Sequence, residues 1–486
     1  MTHRQSSLPM LTSAAFALCV LCLLPASGSA DEITATPISP VPAVPDQKST
    51  TTPQSRIVGS ASCAAASCHG GGRRIEGLHY AASLIWAGRD PHASAWDVLN
   101  TTRSRNMLEL LGAGQGNAPP AATQDARCLN CHATVEQPLT GTVVSDYLHH
   151  DGVGCEACHG AARDWIGPHV TAEWKRLPAA QKLSLGYVDL ASSLTQRANR
   201  CAECHVGGVG RDVNHDLIAA GHPRLDYEFS TFHTNYPKHW QPRASTSGLP
   251  DPEDSPTFPL DAWQAGQFAA AEACLKLLED RTAEGRPWPE LAEYSCFSCH
   301  HNLEDRSWYQ QRRSSGRPAW ETWNLAPLRN SNSASLLPLS TAIASLETVM
   351  NQPQPDRQQV RTSVTNAVTT LAPLLTPPEP WTAASIDQFC LTSIRSSRRT
   401  TTDGSILAAG SWDELAQLYL GLRAAVAARR NLAPADPHNA QRTQLLEQIR
   451  TQLLFRPGYD SPGTSSNTAV LAVTDAISQL EQLLAP

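Results

Sequence analysis

Five short segments of this chain place a histidine directly after the second of two cysteines. Four of them have the spacing Cys-x-x-Cys-His, and the first, which starts at Cys63, has four residues between its cysteines. Two intervening residues span the distance between the vinyl groups of a porphyrin, and the next residue then points at the iron. The spacing therefore predicts covalent attachment of c-type haem. Five repeats use ten of the 14 cysteines, which is too regular for coincidence.

These segments define the residues that would hold five covalently attached haem c groups. The cysteines predicted to bind the porphyrins are Cys63, Cys68, Cys128, Cys131, Cys155, Cys158, Cys201, Cys204, Cys296 and Cys299. The histidines predicted to bind iron from the proximal side are His69, His132, His159, His205 and His300. Zinc sites also combine cysteine pairs with histidine, but they do not require a histidine directly after the second cysteine five times over.

The second axial position of each iron sets its chemistry. Methionine raises the reduction potential, histidine keeps it lower, and an empty position admits substrate. Only Met107 and Met350 follow the N-terminal apolar segment, so methionine cannot be the general distal ligand. Histidine can, and the distal candidates are His92, His169, His222, His215, His79, His149, His150 and His239. For His233 we expect a hydrogen-bonded or surface position. His301 follows a motif histidine too closely to reach the same iron, but it could reach a neighbouring one.

The N-terminus has the pattern of a secretory signal peptide. Within residues 1–30, Arg4 precedes an apolar run over 11–24 that is short for a membrane span, and small residues follow it. Residues 31–56 are rich in Pro and Thr and predict a disordered linker. We therefore expect a periplasmic or otherwise exported protein with no transmembrane segment after signal removal, unless an uncleaved signal tethers it.

Two regions of different character follow the linker. Residues 57–310 contain all five motifs and predict a loop-rich cytochrome c domain with short helices, because porphyrin would supply much of its apolar core. Residues 320–486 lack the motif and predict an α-helical bundle, so the fold class is mainly α. Apolar residues recur at helical spacing over 262–281, 336–350, 360–375, 412–430, 440–455 and 468–484. Cys274 and Cys390 fall in predicted helices, where they either form a disulfide or remain buried thiols.

Residues 152–161, followed by Trp165 and His169, resemble a multihaem cytochrome c superfamily. That superfamily includes the tetrahaem electron carrier of ammonia oxidisers and the hydroxylamine oxidoreductases. Residues 90–99 resemble the segment that supplies a distal histidine in the tetrahaem carrier, and the resemblance extends over about residues 57–240. The longer first motif, the fifth motif and the C-terminal helical region depart from that carrier.

The resemblance also implies an assignment of distal ligands. It implies His169 opposite His69, His92 opposite His159, and either His215 or His222 at the fourth site. In the carrier the second iron lacks a distal ligand, and the matching site here is that of His132. His149 and His150 are close to it in sequence and offer an alternative to a vacant position.

Two functions are compatible with these features. The first is electron transfer between redox partner proteins through closely packed, mostly bis-histidine haems, with the C-terminal helices as a docking domain. The alternative is a haem-based oxidoreductase that acts on hydroxylamine, nitric oxide or nitrite at a five-coordinate iron. No catalytic residue outside the haem sites is identified. The formal net charge of −7 and the absence of a basic run exclude nucleic acid as an expected partner.

Overall fold

The computed structural model describes residues 55–71, 81–112, 121–144, 146–240, 252–300, 318–375, 380–400, 406–407, 411–454 and 467–485. The described residues belong to one compact unit that begins at Ser55. The predicted signal peptide, all but residues 55–56 of the predicted linker, and the histidines at 79 and 301 lie outside them.

The described chain is mainly helical, as predicted. Short helices fill its first half: α1 (Ala82–Arg89), α2 (Thr102–Leu110), α3 (Ala126–His132), α4 (Cys155–His159), α5 (Ala172–Arg176), α6 (Ala179–Ser184), α7 (Leu194–His205), α8 (His215–Ala219) and α9 (Phe229–Asn235). The later helices are α10 (Phe258–Arg281), α11 (Ala326–Arg329), α12 (Leu337–Met350), α13 (Arg357–Leu371), α14 (Ala383–Ser397), α15 (Trp412–Leu432), α16 (Asn439–Leu453) and α17 (Asn467–Leu484). A short antiparallel ladder pairs β1 (Arg399–Thr400) with β2 (Ile406–Leu407).

The longest of these helices, α10, lies between the two regions that the sequence distinguishes. It packs against α7 and α9 from the motif-bearing part and against α13 and α15 from the C-terminal part. Its contact with α15 is close, because a Cβ atom added at Gly421 would lie 2.9 Å from Trp263 Cζ2. Both long flanks of α10 are therefore buried, and the helix joins the two regions through its own side chains.

The C-terminal helices form two apolar cores that meet on α10. Leu260 and Trp263 pack with residues of α14, α15, α16 and α17, including the fully buried Ile394. Leu275 packs with residues of α12 and α13, including Ile343. The apolar periodicity in 336–350 is confirmed, since the side chains of Leu339, Ile343, Leu346 and Met350 are all 0% exposed.

Among the described residues, the two cysteines outside the motifs, Cys274 and Cys390, are free thiols, so the disulfide alternative is wrong. Cys390 is buried among α14, α15 and α17, whereas Cys274 packs beside the α7 and α9 side chains and the α12 and α13 core. Burial raises the pKa of Cys274 to about 12 and also raises that of Cys390. Both thiols are therefore protonated at neutral pH.

Within the described ranges, no helix combines the length and the apolar character that crossing a bilayer requires.

Candidate functional site

The regular motifs fold into single helical turns. In α3, α4 and the last turn of α7, cysteines at positions i and i+3 lie on one face and the histidine at i+4 continues that face. The fifth motif forms a 3₁₀ turn over Cys296–Ser298, and the His300 N–H donates to the Cys296 carbonyl at 2.7 Å. One turn therefore presents two thiols and one imidazole to the same side, which suits attachment to a porphyrin edge.

The first motif reaches a similar result with a longer loop. A 3₁₀ turn ends at Cys63, and the Cys68 N–H donates to Ala65 O at 2.8 Å. The His69 N–H then donates back to Cys63 O at 3.3 Å, which closes the loop. The four-residue gap is thus taken up in a turn that brings the backbone of His69 back to Cys63.

Four motif histidines each lie beside a histidine from a distant segment. The ring centroids are 6.4 Å apart for His69 and His169, 5.9 Å for His205 and His92, 6.5 Å for His132 and His222, and 6.4 Å for His159 and His239. Two metal–nitrogen bonds of about 2 Å, with about 1 Å from each nitrogen to its ring centre, require a separation of about 6 Å. The pairs therefore fit two axial imidazoles on opposite sides of one iron.

This arrangement agrees with the implied ligands at one site and differs at three. His169 lies opposite His69, as the resemblance implies. His92, however, lies beside His205, and His239 takes the place opposite His159. The second and fourth sites also differ, because His222 lies beside His132. The reason is tertiary: each distal histidine comes from a segment whose approach to the motif depends on helices packed elsewhere.

The remaining candidates lie in other surroundings. His149 and His150 pack on Trp96, with ring centroids 6.5 and 4.6 Å from the indole. His233 is buried and lies 2.9 Å from Arg197 Nη1, in line with the hydrogen-bonded role expected for it. His215 is half-buried at the first position of α8.

Hydrogen bonds orient three of the imidazoles predicted to be distal ligands. His92 Nδ1 lies 2.9 Å from Asp90 Oδ1, His222 Nδ1 lies 2.7 Å from Pro223 O, and His169 Nδ1 contacts Ile166 O. Carbonyl and carboxylate oxygens only accept, so each Nδ1 donates and each Nε2 carries the lone pair that a metal would take. The proximal His132 is held in the same way, with Nδ1 3.0 Å from Ala95 O.

The surroundings of these rings favour the neutral imidazole. Burial lowers the pKa of His159 and of His205 to about 4, and it also lowers the pKa of His132, His222 and His239. A neutral ring is the form that binds metal. His92 is the exception: its hydrogen bond to Asp90 raises its pKa, because that carboxylate stabilises the imidazolium.

Asp90 is a functional residue that the motif search does not identify. It accepts from the Tyr236 hydroxyl at 2.6 Å as well as from His92. Burial alone would raise the pKa of Asp90, but the hydrogen bonds from His92 and Tyr236 outweigh it and lower the pKa. The Asp-Pro that precedes His92 is the sequence signal for this role, since Asp90 also caps the following 3₁₀ turn.

The attachment segments contact one another. The neighbouring Cys155 raises the pKa of Cys63, and the neighbouring Cys204 raises the pKa of Cys131, so the thiols of each pair lie close together. Burial raises the pKa of Cys158 to about 12, and the charge of the nearby Cys201 adds to the shift. The first motif thus adjoins the third, the second adjoins the fourth, and the third and fourth are neighbours.

A second residue that the motif search misses is the glutamate inside the third motif. Glu156 is buried, and its carboxylate accepts from the N–H groups of Val58 and Gly59 at 3.0 and 2.7 Å and of Ala162 at 2.7 Å. It therefore ties the segment before the first motif to the third. The glycine that follows this motif is also required: Gly160 has φ +84°, and a Cβ there would lie 1.9 Å from Gly186 O.

Parts of the chain match known proteins. Residues 64–160 match the family described as cytochrome c554 and c-prime. Over 113 residues the chain is 34% identical to the C-type polyheme cytochrome OmcC of Geobacter sulfurreducens, covering 22% of this chain and 12% of that protein. Over 125 residues it is 31% identical to the C-type polyheme cytochrome OmcB of the same organism, covering 24% and 14%. No solved structure matches significantly.

The chain therefore spans only a small part of the length of these relatives. The matches, the motifs and the paired histidines together support the class of multihaem c-type cytochromes. The finer likeness to the nitrification carrier and the hydroxylamine oxidoreductases stays a prediction.

Proposed function

We propose that the chain is an exported pentahaem c-type cytochrome that carries electrons between redox partner proteins. The observation that carries the proposal is the pairing of four motif histidines with four distant histidines at centroid separations of 5.9–6.5 Å. Two imidazoles on one iron leave no position for substrate, and such sites suit electron transfer. The ten motif cysteines would hold the porphyrins, and the five motif histidines would bind iron proximally.

Covalently bound haem would supply a one-electron iron couple at each motif. The chain's own contribution is to hold the attachment segments against one another. The contacts of Cys63 with Cys155 and of Cys131 with Cys204, together with the closeness of Cys158 to Cys201, support the order first, third, fourth, second. Because neighbouring segments touch, the chain needs no mobile carrier between these four sites.

The second site favours relay over the enzymatic alternative. Chemistry on hydroxylamine, nitric oxide or nitrite requires an iron with an open axial position, and the resemblance points to His132 for it. His222 lies 6.5 Å from His132, and its Nδ1 is already hydrogen bonded to Pro223 O. An imidazole so oriented would compete with any small nitrogen compound for the same position.

Export, partners and docking complete the proposal. The N-terminal pattern supports removal of residues 1–30 and a periplasmic or otherwise exported location. Redox proteins are the partners that this class implies, and the helices after residue 320 are the proposed docking domain. N-terminal sequencing of the exported protein tests the cleavage, and cross-linking of the full chain to extracytoplasmic redox proteins tests the docking domain.

Electron paramagnetic resonance of the oxidised holoprotein, with haem counted by intact mass, tests the function. We expect five haems, all low-spin, and no carbon monoxide binding after reduction. A high-spin iron that binds nitric oxide or hydroxylamine would favour the enzyme instead. A count of four would remove one attachment site, and peptide mapping would show whether it is the one that starts at Cys63.

A further inference from the structure

The fifth motif differs from the other four in its surroundings. His300 is exposed and follows the short 3₁₀ turn over Cys296–Ser298. Another 3₁₀ helix, Leu291–Glu293, leads into this motif, and α8 packs against it. The element next to the fifth attachment site therefore begins with a histidine, His215.

A single carboxylate ties these two elements together. Glu290 Oε1 accepts from the His215 N–H at 2.8 Å and from the Ala292 N–H at 2.9 Å. The first bond holds the start of α8, and the second caps the 3₁₀ helix that leads into the motif. The backbone of His215 is thus anchored to the residues directly before Cys296.

The segment that follows α8 touches the motif a second time. Arg224 Nη1 lies 3.4 Å from Cys296 Sγ, and Arg224 Nη2 pairs with Glu321 Oε2 at 3.0 Å. His222, two residues before Arg224, is the histidine beside His132. Residues 214–224 therefore run between the second site and the fifth, and they contact Glu290 before the fifth motif at one end and Cys296 of the motif at the other.

The other histidines of the described chain are engaged elsewhere. Four serve as partners in the ring pairs, His149 and His150 pack on Trp96, and His233 is buried beside Arg197. His438 lies at the start of α16 in the C-terminal part. Among the described residues outside the motifs, His215 is the histidine on an element packed against the 3₁₀ helix that leads into the fifth motif.

We infer that His215 is the distal iron ligand at the fifth site, opposite His300. The inference rests on the proposed function, since it requires covalent haem at Cys296 and Cys299. It makes residues 214–224 the source of distal ligands for two neighbouring irons, His222 for the second and His215 for the fifth. The relay then extends from the second site to the fifth through one short segment.

The test uses the full-length holoprotein with His215 changed to Ala and, separately, to Met. In H215A we expect one of five haems to become high-spin in the ferric state and to bind carbon monoxide when reduced. Added imidazole restores the low-spin signal. In H215M we expect five low-spin haems with one reduction potential raised, because thioether ligation favours ferrous iron. His438→Ala, in the C-terminal part, is the control and should leave every signal unchanged.

Two outcomes would overturn the assignment of His215 without affecting the proposed function. They are five low-spin haems in H215A, and reduction potentials in H215M that match those of the wild type. If H215A loses one haem, the raised potential in H215M still decides the question. A wild-type protein with an intrinsic high-spin iron, or without haem at the fifth motif, would instead count against the proposed function. The two failures are therefore distinguishable by the wild-type spectrum and mass.

Discussion

The carboxylate of Asp90 lies 2.9 Å from Nδ1 of His92, the imidazole whose ring centroid lies 5.9 Å from that of His205. A carboxylate on Nδ1–H makes the imidazole a stronger donor to ferric iron. Tyr236 donates to the other carboxylate oxygen at 2.6 Å and fixes its orientation. Asp90 thus positions His92, and it would act through His92 on an iron bound there.

Replacing Asp90 by Asn is expected to raise the reduction potential of one haem. The neutral amide accepts the Nδ1–H hydrogen bond more weakly than the carboxylate does, so the imidazole is a weaker electron donor to the iron. Ferric iron therefore loses stabilisation relative to ferrous iron. A tenfold change in that preference corresponds to about 60 mV for a one-electron couple. Spectroelectrochemical titration of the variant measures it, with the exposed Asp97→Asn as the matched control. Identical titration curves for D90N and wild type would show that Asp90 has no such role.

Glu156→Gln is expected to destabilise the protein without removing a haem. An amide offers only one acceptor oxygen, so the N–H of either Gly59 or Ala162 loses its partner inside the protein. A buried donor left unsatisfied costs about 1–3 kcal/mol. Denaturant unfolding measures the loss, and faster amide exchange at residues 58–59 locates it.

The control for this change is Glu173→Gln. Glu173 pairs with Arg176 on the surface, and its side chain is 75% exposed. Its effect on stability should be close to zero. Equal losses in the two variants would contradict a special role for Glu156.

Stability should depend on pH through the carboxyl pair of Asp413 and Glu321. Desolvation raises the pKa of Asp413 well above its usual value, and the charge of Glu321 and its hydrogen bond with Asp413 add to this increase. The nearby Arg224 opposes this shift and Asp226 adds to it. The folded chain thus keeps a proton that the unfolded chain releases above about pH 4, so stability falls as pH rises from there towards the raised pKa.

Asp413→Asn removes that titration while preserving the shape of the side chain. The wild type should lose up to about 1.4 kcal/mol per pH unit relative to D413N within the window. Denaturation midpoints at a series of pH values measure the difference, with the exposed Asp475→Asn as control. Parallel pH profiles for D413N and the wild type would mean that Asp413 holds no proton in the folded chain.

Cys274 and Cys390 are expected to be alkylated only after unfolding, and without added reductant. Burial keeps both thiols protonated at neutral pH, and the thiolate is the reactive form. Peptide mapping after iodoacetamide treatment of native and denatured protein measures the labelling of each. If the denatured protein requires a reductant before either cysteine reacts, the two are oxidised in the exported protein.

Local signals in the sequence were enough to predict the helices of the C-terminal part. The apolar repeat that ends at Met350 corresponds to α12, and the repeat that begins at Val360 corresponds to α13. Helix α13 ends at Leu371, two residues before Pro373. Pro373 has no backbone N–H to donate to the preceding turn of an α-helix. A residue next to the boundary is therefore enough to explain why the helix ends there. The burial of α10 on both flanks was not predictable from a single apolar stripe, because it depends on α7 and α15 packing from opposite sides.

The same division runs through the candidate site. The sequence alone is enough to predict the attachment residues, since two cysteines and a histidine within one turn lie together wherever that turn is in the fold. It does not determine which distal histidine meets which motif. His92 reaches His205, and His222 reaches His132, only after helices distant in sequence have packed. A proximal ligand is set by bonds along the chain, whereas a distal ligand is set by contacts across it, and only the tertiary structure supplies those.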